Sequence, residues 1–312
     1  MTEFIHRLKK AELHLHLEGS VEPETLLGID PALTREKVAE AYGYTDFLGF
    51  LQSYKWVNLR LTQPAHFALI ARRLLEQLSA QNVVYAEINL SAGVWLWREL
   101  PFEPYFAAIA AEAAQSPVEV RFILDAVRQF GVEAAWEVAR LAAAHRERGV
   151  IGFGIGGDEA RGPALEFREV FAWARQQGLH LAPHGGETMG PQTVWDALEC
   201  GAERIGHGIG AIDDPALVRH LVERRIPLEI CITSNLRTGA VASLGAHPLR
   251  RLYDAGVAVT LNTDDPAMFG TTLEREYEIA ATAFGFTQEE LRGIAANGFE
   301  FAFDAEARGL AG

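Results

Sequence analysis

The chain has 312 residues, of which 49% are hydrophobic, and 42 acidic side chains against 28 Lys and Arg give a formal net charge of −14. This charge excludes the basic surface that nucleic-acid binding requires. Cys200 and Cys231 are the only cysteines, which excludes a disulfide framework and a cysteine-rich zinc ribbon. No apolar run approaches the roughly 18 residues that a membrane span requires. Residues 1–10 lead into no apolar stretch or cleavage site, so we expect a cytoplasmic protein.

Short apolar or β-branched runs alternate along the chain with helix-like stretches. The predicted strands cover residues 11–17, 83–90, 118–125, 150–155, 179–183, 204–207, 227–232 and 257–262. The clearest predicted helices cover residues 64–80, 132–148, 165–177, 191–200, 215–225 and 272–283. This alternation predicts an α/β fold with a parallel sheet, and eight units without a linker predict one (β/α)₈ barrel domain over residues 1–312. Residues 22–61 predict extra helices over the barrel mouth, between strands 1 and 2.

Two histidines lie near the end of the first predicted strand. His14 and His16 are separated by one residue, and the two-residue period of a strand sends both imidazoles to one face. In a barrel that face is the interior, and the chemistry of this fold gathers where strands end. Buried imidazoles without partners are costly, so the pair consists either of hydrogen-bonded core residues or of metal ligands.

Titratable residues at three further strand ends favour the metal. These residues are His184, Glu187, His207, Asp264 and Asp265. Three imidazoles and one carboxylate suit zinc better than iron, cobalt or nickel. We therefore predict one zinc ion per chain, with the ligands His14, His16, His184 and Asp264. Glu187 and His207 then remain free for proton transfer beside a metal-bound water, whose pKa the cation lowers toward neutrality.

Two shorter motifs point to other functions but lack the required context. His16-Leu-Glu18 matches half of the zinc cytidine deaminase signature, whose Pro-Cys-x-x-Cys half is absent. Residues 152–157 match a dinucleotide-binding pattern, but they lie in a predicted strand and lead into acidic residues that would repel a pyrophosphate. The histidines outside the strand ends, including His247, are expected at surface or helix-capping positions.

In order and spacing, the strand-end motifs resemble the adenosine deaminase family from residue 10 to about residue 301. The motifs are His14-Leu-His16-Leu-Glu18-Gly-Ser, Gly156-Gly157-Asp158-Glu159, His184-Gly-Gly-Glu187, Gly206-His207-Gly208, Thr233-Ser234-Asn235 and Asn262-Thr-Asp264-Asp265-Pro266. The resemblance implies a zinc-bearing (β/α)₈ barrel that replaces the exocyclic amine of a 6-aminopurine nucleoside with oxygen and releases ammonia.

The same resemblance implies roles for single residues. Glu187 would protonate the purine N1, while His207 and Asp264 would orient and activate the zinc-bound water. The substrate would be contacted by His16, Glu18, Gly157 and Asp265, with the Gly157 amide facing N3 and Asp265 facing N7.

The 5′ side of the substrate is where this chain departs from adenosine deaminases, which have Asp at the position of Glu18. Residues 53–60 and 85–97 resemble instead the aminodeoxyfutalosine deaminase branch, which acts on an adenine nucleoside with a 5′ carboxyphenyl ketone on the futalosine route to menaquinone. Such a group calls for an aromatic wall and a cation. The candidates are Trp56, Trp95 and Trp97 with Lys55, Arg60 and Arg98. Packing of the first helices on the barrel explains the tryptophans equally well.

Aminodeoxyfutalosine is the preferred substrate, followed by adenosine and then by adenine, whose deaminases also carry Glu at the position of Glu18. The alternative from another class is a catalytically silent zinc-binding or purine-binding protein. Such a protein should lack Glu187 or His207, and both are present.

Overall fold

The computed structural model describes residues 1–311, in which parallel strands form a closed ring surrounded by helices. The strands are β1 (Lys10–His16), β2 (Val83–Leu90), β3 (Glu119–Val127), β4 (Val150–Gly156), β5 (His180–Leu181), β6 (His184–Gly185), β7 (Ile205–His207), β8 (Leu228–Ile230) and β9 (Val259–Leu261). Strands β1 to β5 pair in chain order, and so do β6 to β9. The ring closes where the Asp264 amide donates to the His14 carbonyl (3.0 Å) and the His16 amide donates to the Asp264 carbonyl (2.7 Å). The predicted (β/α)₈ barrel is confirmed.

The helices follow the predicted pattern closely. They are α1 (Thr2–Arg7), α2 (Pro23–Ile29), α3 (Arg35–Ala41), α4 (Phe47–Asn58), α5 (Pro64–Ala80), α6 (Ala92–Trp97), α7 (Phe102–Ala113), α8 (Gly131–Ala144), α9 (Arg168–Gln176), α10 (Pro191–Glu199), α11 (Pro215–Arg224), α12 (Ile232–Arg237), α13 (Leu249–Asp254), α14 (Pro266–Phe269), α15 (Leu273–Ala283) and α16 (Gln288–Glu300). Two predicted helices are shorter than expected, because 3₁₀ turns occupy Arg146–Arg148 and Ala164–Phe167. Within residues 1–311, no helix has the length and hydropathy that a membrane span requires.

Only His180 and Leu181 of the fifth predicted strand, residues 179–183, lie in a strand, and a further short strand directly follows the predicted range. The structure has two strands of two residues each, β5 and β6, which belong to different sheets. Pro183 lies between them and has no amide hydrogen, so it cannot complete the strand ladder. Its carbonyl still accepts a hydrogen bond from the Gly206 amide at 3.0 Å. The interruption makes His184 the first residue of a separate short strand at the carboxyl end of the barrel.

Helices α2 to α4 cover the barrel mouth, as residues 22–61 predict. The Tyr54 hydroxyl of α4 donates to Glu18 Oε2 at 3.3 Å and is hydrogen-bonded to Ser91 Oγ at 2.6 Å. Glu18 and Ser91 directly follow β1 and β2. Between α3 and α4, the Tyr44 hydroxyl donates to the Met268 carbonyl of α14 at 2.7 Å. The insert therefore rests on the same end of the barrel as the strand-end motifs.

The strands are tied to the helices by aromatic side chains on their outer face. Phe153 of β4 is fully buried and packs edge to face on Phe171 of α9, with ring centroids 5.2 Å apart. Phe122 of β3 packs in the same way on Phe106 of α7, at 5.4 Å. Because side chains alternate along a strand, these outward aromatic residues leave the inward positions to polar residues such as Asp125.

Removal of one of these aromatic rings should destabilise the fold. We expect Phe153→Ala to lower the free energy of unfolding by about 3–5 kcal/mol, because it leaves a cavity between strand and helix. Leu48→Ala is the control: Leu48 is 59% exposed and should change stability by less than about 0.5 kcal/mol. Denaturant unfolding measures both, and equal stabilities of the two variants would contradict the packing described.

Candidate active site

Four side chains that can bind a metal, three histidines and one aspartate, meet inside the carboxyl end of the barrel. His14 and His16 lie on β1, His184 begins β6, and Asp264 follows β9. The His16 Nε2 atom lies 3.2 Å from His184 Nε2 and 3.4 Å from Asp264 Oδ1. The His14 Nε2 atom lies 3.5 Å from the same Asp264 oxygen. All four residues are buried, so the barrel brings together the predicted ligand set.

These separations fit a metal ion. A tetrahedral ion with bonds of about 2.0–2.1 Å holds its ligand atoms about 3.3–3.4 Å apart. The buried His14 Nε2 atom has no hydrogen-bond partner within residues 1–311, as expected for a nitrogen that faces a metal. Burial lowers the pKa of His16 to about 3 and that of His184 well below its usual range, which keeps both imidazoles in the neutral, metal-binding form. The group could therefore hold a metal ion.

The backbone around this group is shaped to bring the side chains together. His207 and Asp264 have positive φ angles of 62° and 63°, a conformation that is rare for residues other than glycine and that clusters at functional sites. Gly206 provides the space for His14, because a Cβ atom there would lie only 2.7 Å from His14 Cε1. Local strain and a missing side chain thus allow the strand ends to converge.

A second layer of residues orients the candidate ligands. Glu229 Oε2 is 2.8 Å from His14 Nδ1 and accepts its hydrogen, which directs the other ring nitrogen, Nε2, toward the group. The Ser234 hydroxyl donates to Asp264 Oδ2 at 2.6 Å. Asp125 Oδ2 lies 3.5 Å from His16 Nδ1. Sequence reasoning gave no role to Glu229 or Asp125, although an acidic residue inside a short apolar strand was a usable signal for both.

Glu187 and His207 lie beside the candidate ligands. His207 Nε2 is 3.7 Å from Glu187 Oε2 and 3.8 Å from Asp264 Oδ2. Burial, and then the Asp264 charge, raise the pKa of Glu187 well above its usual range, which favours the protonated form of this carboxyl group. Burial lowers the pKa of His207 to about 4, so its imidazole is neutral. The pair can therefore hold and move a proton next to the group.

His207 is oriented by Asn235, and Asn235 is in turn held by His247. The Asn235 amide donates to His207 Nδ1 at 3.1 Å, and Asn235 Oδ1 in turn accepts from His247 Nε2 at 3.2 Å. His247 is only 4% exposed, so a surface position is ruled out, but its Nδ1 atom accepts from the Leu249 amide at the start of α13 at 3.2 Å, as a capping position requires. With Nδ1 accepting, neutral His207 carries its proton on Nε2, the nitrogen that faces Glu187 and Asp264.

Three other residues predicted to contact the substrate are Asp265, Gly157 and Glu18. Asp265 is 2% exposed, and its Oδ1 atom has no hydrogen-bond partner within residues 1–311. Gly157 has a φ of 94°, and a Cβ atom there would lie 2.2 Å from Gln129 Oε1. Glu18 is fully buried, and its Oε1 atom accepts hydrogen bonds from Trp95 Nε1 at 2.7 Å and from the Ser91 amide at 3.2 Å.

The candidate tryptophans and cations of the mouth differ in their burial and in their partners. Trp95 is fully buried and binds Glu18, and Arg98 donates to the carbonyls of helix α4 and the segment after it. Trp56 stacks under Arg60, which lies 3.7 Å from Asp30. Trp97 is 48% exposed. Packing thus accounts for Trp95, and Trp97 is open to solvent.

Curated relatives match nearly the whole chain. A model of the adenosine deaminase family matches residues 9–310. An aminodeoxyfutalosine deaminase of Streptomyces coelicolor is 40% identical, over 96% of this chain and 81% of its own length. An adenine deaminase of Sinorhizobium medicae is 38% identical, over 95% of this chain and 94% of its own.

Solved structures share the architecture as well. A zinc-bound amidohydrolase from Burkholderia ambifaria superposes with a TM-score of 0.91 at 27% identity, covering 99% of this chain and 90% of that one. The sequence motifs, the barrel and the relatives agree over almost the full length of the protein. The chain therefore belongs to the adenosine deaminase family and is a hydrolytic deaminase.

Proposed function

We propose that residues 1–312 form one deaminase domain that uses a single zinc ion to deaminate a 6-aminopurine nucleoside. The observation that carries this proposal is the convergence of four ligand atoms within 4.8 Å of one another. His207 Nε2 lies 3.8 Å from Asp264 Oδ2 and 3.7 Å from Glu187 Oε2. A zinc-storage protein would need the ligands but no neighbouring proton carriers. The buried, protonated Glu187 therefore favours catalysis over storage.

The residues of the chain have separate roles in this reaction. Glu187, with its raised pKa, donates a proton to the purine N1 and makes C6 electrophilic. When bound, zinc would lower the pKa of a water ligand toward neutrality and so supply the nucleophile. His207 and Asp264 would hold the proton released as a water oxygen bonds to C6, and that proton would pass to the exocyclic amine, which leaves as ammonia when the C6–N bond breaks. Asp265 faces N7, and the Gly157 amide faces N3.

The first test of this proposal is the metal content. We expect about one equivalent of zinc per chain by elemental analysis, held by His14, His16, His184 and Asp264. His184→Ala should lose most of the metal, because three ligands remain. His6→Ala is the control, since His6 is an exposed histidine whose Nδ1 atom pairs with Glu274. Two zinc ions per chain, or none after zinc-replete expression, would contradict the proposal.

The second test separates chemistry from metal binding. Glu187→Gln keeps the shape of the side chain but has no carboxyl proton to donate, so kcat should fall by about 10²-fold or more. The zinc content should stay at the wild-type level. Glu203→Gln changes a carboxylate outside the site and should leave kcat unchanged. Near-wild-type turnover of Glu187→Gln would show that another group is the acid.

Among 6-aminopurine nucleosides, we propose aminodeoxyfutalosine as the substrate. The relative at 40% identity carries this activity in its name, and Glu18 is held by Trp95, Ser91 and Tyr54 rather than open to a ribose 5′-hydroxyl. A place for the 5′ carboxyphenyl group is available at the rim of the mouth. Adenosine and adenine are the competing substrates, and the adenine deaminase relative at 38% identity makes adenine a necessary comparison.

The rim offers a platform of one cation and two aromatic rings. Trp97 at the end of α6 stacks on Phe130, which follows β3, with ring centroids 5.7 Å apart and planes 21° from parallel. Lys55 of α4 lies over the Trp97 ring, with Nζ 4.8 Å from the centroid. Lys55 is exposed and forms no salt bridge within residues 1–311. An aryl carboxylate matches this platform, because its ring can stack on Trp97 and its charge can pair with Lys55.

The third test measures substrate preference. A stacked ring and a charge-assisted hydrogen bond together are worth about 3 kcal/mol, so kcat/KM for aminodeoxyfutalosine should exceed that for adenosine by about a hundredfold. Trp97→Ala and Lys55→Met should reduce kcat/KM for aminodeoxyfutalosine and leave adenosine turnover nearly unchanged.

Trp56→Ala is the matched control for this test, because Arg60 over Trp56 already faces Asp30 and offers no free charge. Trp56→Ala should leave kcat/KM unchanged for both aminodeoxyfutalosine and adenosine. Equal or better kcat/KM for adenosine or adenine in the wild-type protein would reject aminodeoxyfutalosine, and the zinc deaminase proposal would be unaffected.

A further inference from the structure

A buried ion-pair network lies inside the barrel next to His14. Arg204 precedes β7 and is 1% exposed. Its Nη2 atom donates to Glu87 Oε2 of β2 and its Nε atom donates to Glu229 Oε1 of β8, both at 2.5 Å. Both carboxylates are also at most 1% exposed. One guanidinium therefore joins two strands on different sheets and compensates two buried negative charges.

This network reaches the candidate metal group through one more residue. Glu229 uses its second oxygen, Oε2, to accept the His14 Nδ1 hydrogen at 2.8 Å. The position of the Glu229 carboxylate fixes the tautomer and the ring orientation of His14, and with them the direction of the Nε2 lone pair. Because Arg204 holds the other oxygen, a shift of Arg204 rotates the carboxylate that orients His14.

The chain segment after α16 contacts Arg204 through a backbone carbonyl and an aromatic ring. The Arg204 Nη1 atom donates to the Phe301 carbonyl at 2.9 Å, and the Phe303 ring lies 3.5 Å from the guanidinium carbon. The Phe303 amide donates to Glu87 Oε1 at 2.7 Å. Phe303 thus contacts both the cation and one of its carboxylates, at the amino ends of the strands and on the far side of the barrel from the mouth.

We propose that Arg204 is a positioning residue for the metal centre and that Phe303 is part of its support. The chain of contacts runs from Phe303 to Arg204, from Arg204 to Glu229 and from Glu229 to His14. A lysine could not replace Arg204, because a single ammonium lacks the planar array of donors that reaches both carboxylates and a carbonyl. The inference rests on the proposed metal site and adds to it a dependence on the C-terminal segment.

The test uses two phenylalanines of the same segment, of which Phe303 covers Arg204 and Phe301 lies against Arg225. Phe303→Ala removes the ring that covers Arg204, whereas Phe301→Ala removes a ring that lies 5.8 Å from the exposed Arg225 and leaves the Phe301 carbonyl in place. Both side chains are half-buried, so their loss should lower the thermal stability of the metal-free protein by similar amounts. Zinc affinity, measured by competition with a chelator, is the readout that separates them.

We expect zinc affinity to fall at least threefold in Phe303→Ala and to stay within twofold of wild type in Phe301→Ala. Arg204→Lys should lower it by about 10-fold or more, the range that loss of an outer hydrogen-bond partner produces at metal sites. At saturating zinc, KM should stay unchanged in both phenylalanine variants. Phe303→Leu keeps apolar volume without the ring face and carries the same expectation, should Phe303→Ala not fold.

Two results would overturn the inference. Equal zinc affinity of wild type, Phe303→Ala and Phe303→Leu would show that the segment does not act on the metal centre. Equal losses in the Phe301 and Phe303 variants would show a general effect of packing. Failure of the proposed function is distinguishable from both, because the wild-type protein would then bind no zinc at all.

Discussion

Burial of charged and polar groups at the centre of the barrel is the constraint on which the rest of the structure depends. Three imidazoles and Asp264 are buried, and their candidate ligand atoms all lie within 4.8 Å of one another. Burial of such a cluster costs free energy unless every member has a partner, and one cation at its centre would be a partner for all four side chains. The outer aromatic packing, the helices over the mouth and the Arg204 network all serve to hold this cluster closed.

The strand-end residues could be predicted from the sequence because the rule that places them is local. A two-residue period sends His14 and His16 to one face, and the barrel fold gathers the ends of parallel strands. The supporting residues could not be predicted in this way. The partner of Glu229 is 215 positions away along the chain, and His247 reaches the site only through Asn235. Such pairings depend on the closed barrel rather than on any spacing within one segment.

The mouth shows the same limit in another form. The family resemblance pointed to tryptophans and cations near α4 and α6, but it could not distinguish a packed indole from an exposed one. The difference lies in tertiary partners: Trp95 is enclosed by aromatic residues and Glu18, while Trp97 stacks on a residue that follows β3. The interrupted fifth strand has a simpler cause, since Pro183 was visible in the sequence and its missing amide hydrogen predicts a break in the ladder.

The closure of the barrel between β1 and β9 has a consequence for how the protein responds to its ligand. Asp264 joins the two ends of the sheet through its backbone, and its carboxylate belongs to the candidate metal group. The closure of the barrel and the candidate metal group therefore share one residue, Asp264. Any ligand that ties Asp264 to His14 and His16 also clamps this closure, so occupancy and barrel integrity are thermodynamically linked. Loss of the metal should therefore weaken the contact between the first and last strands.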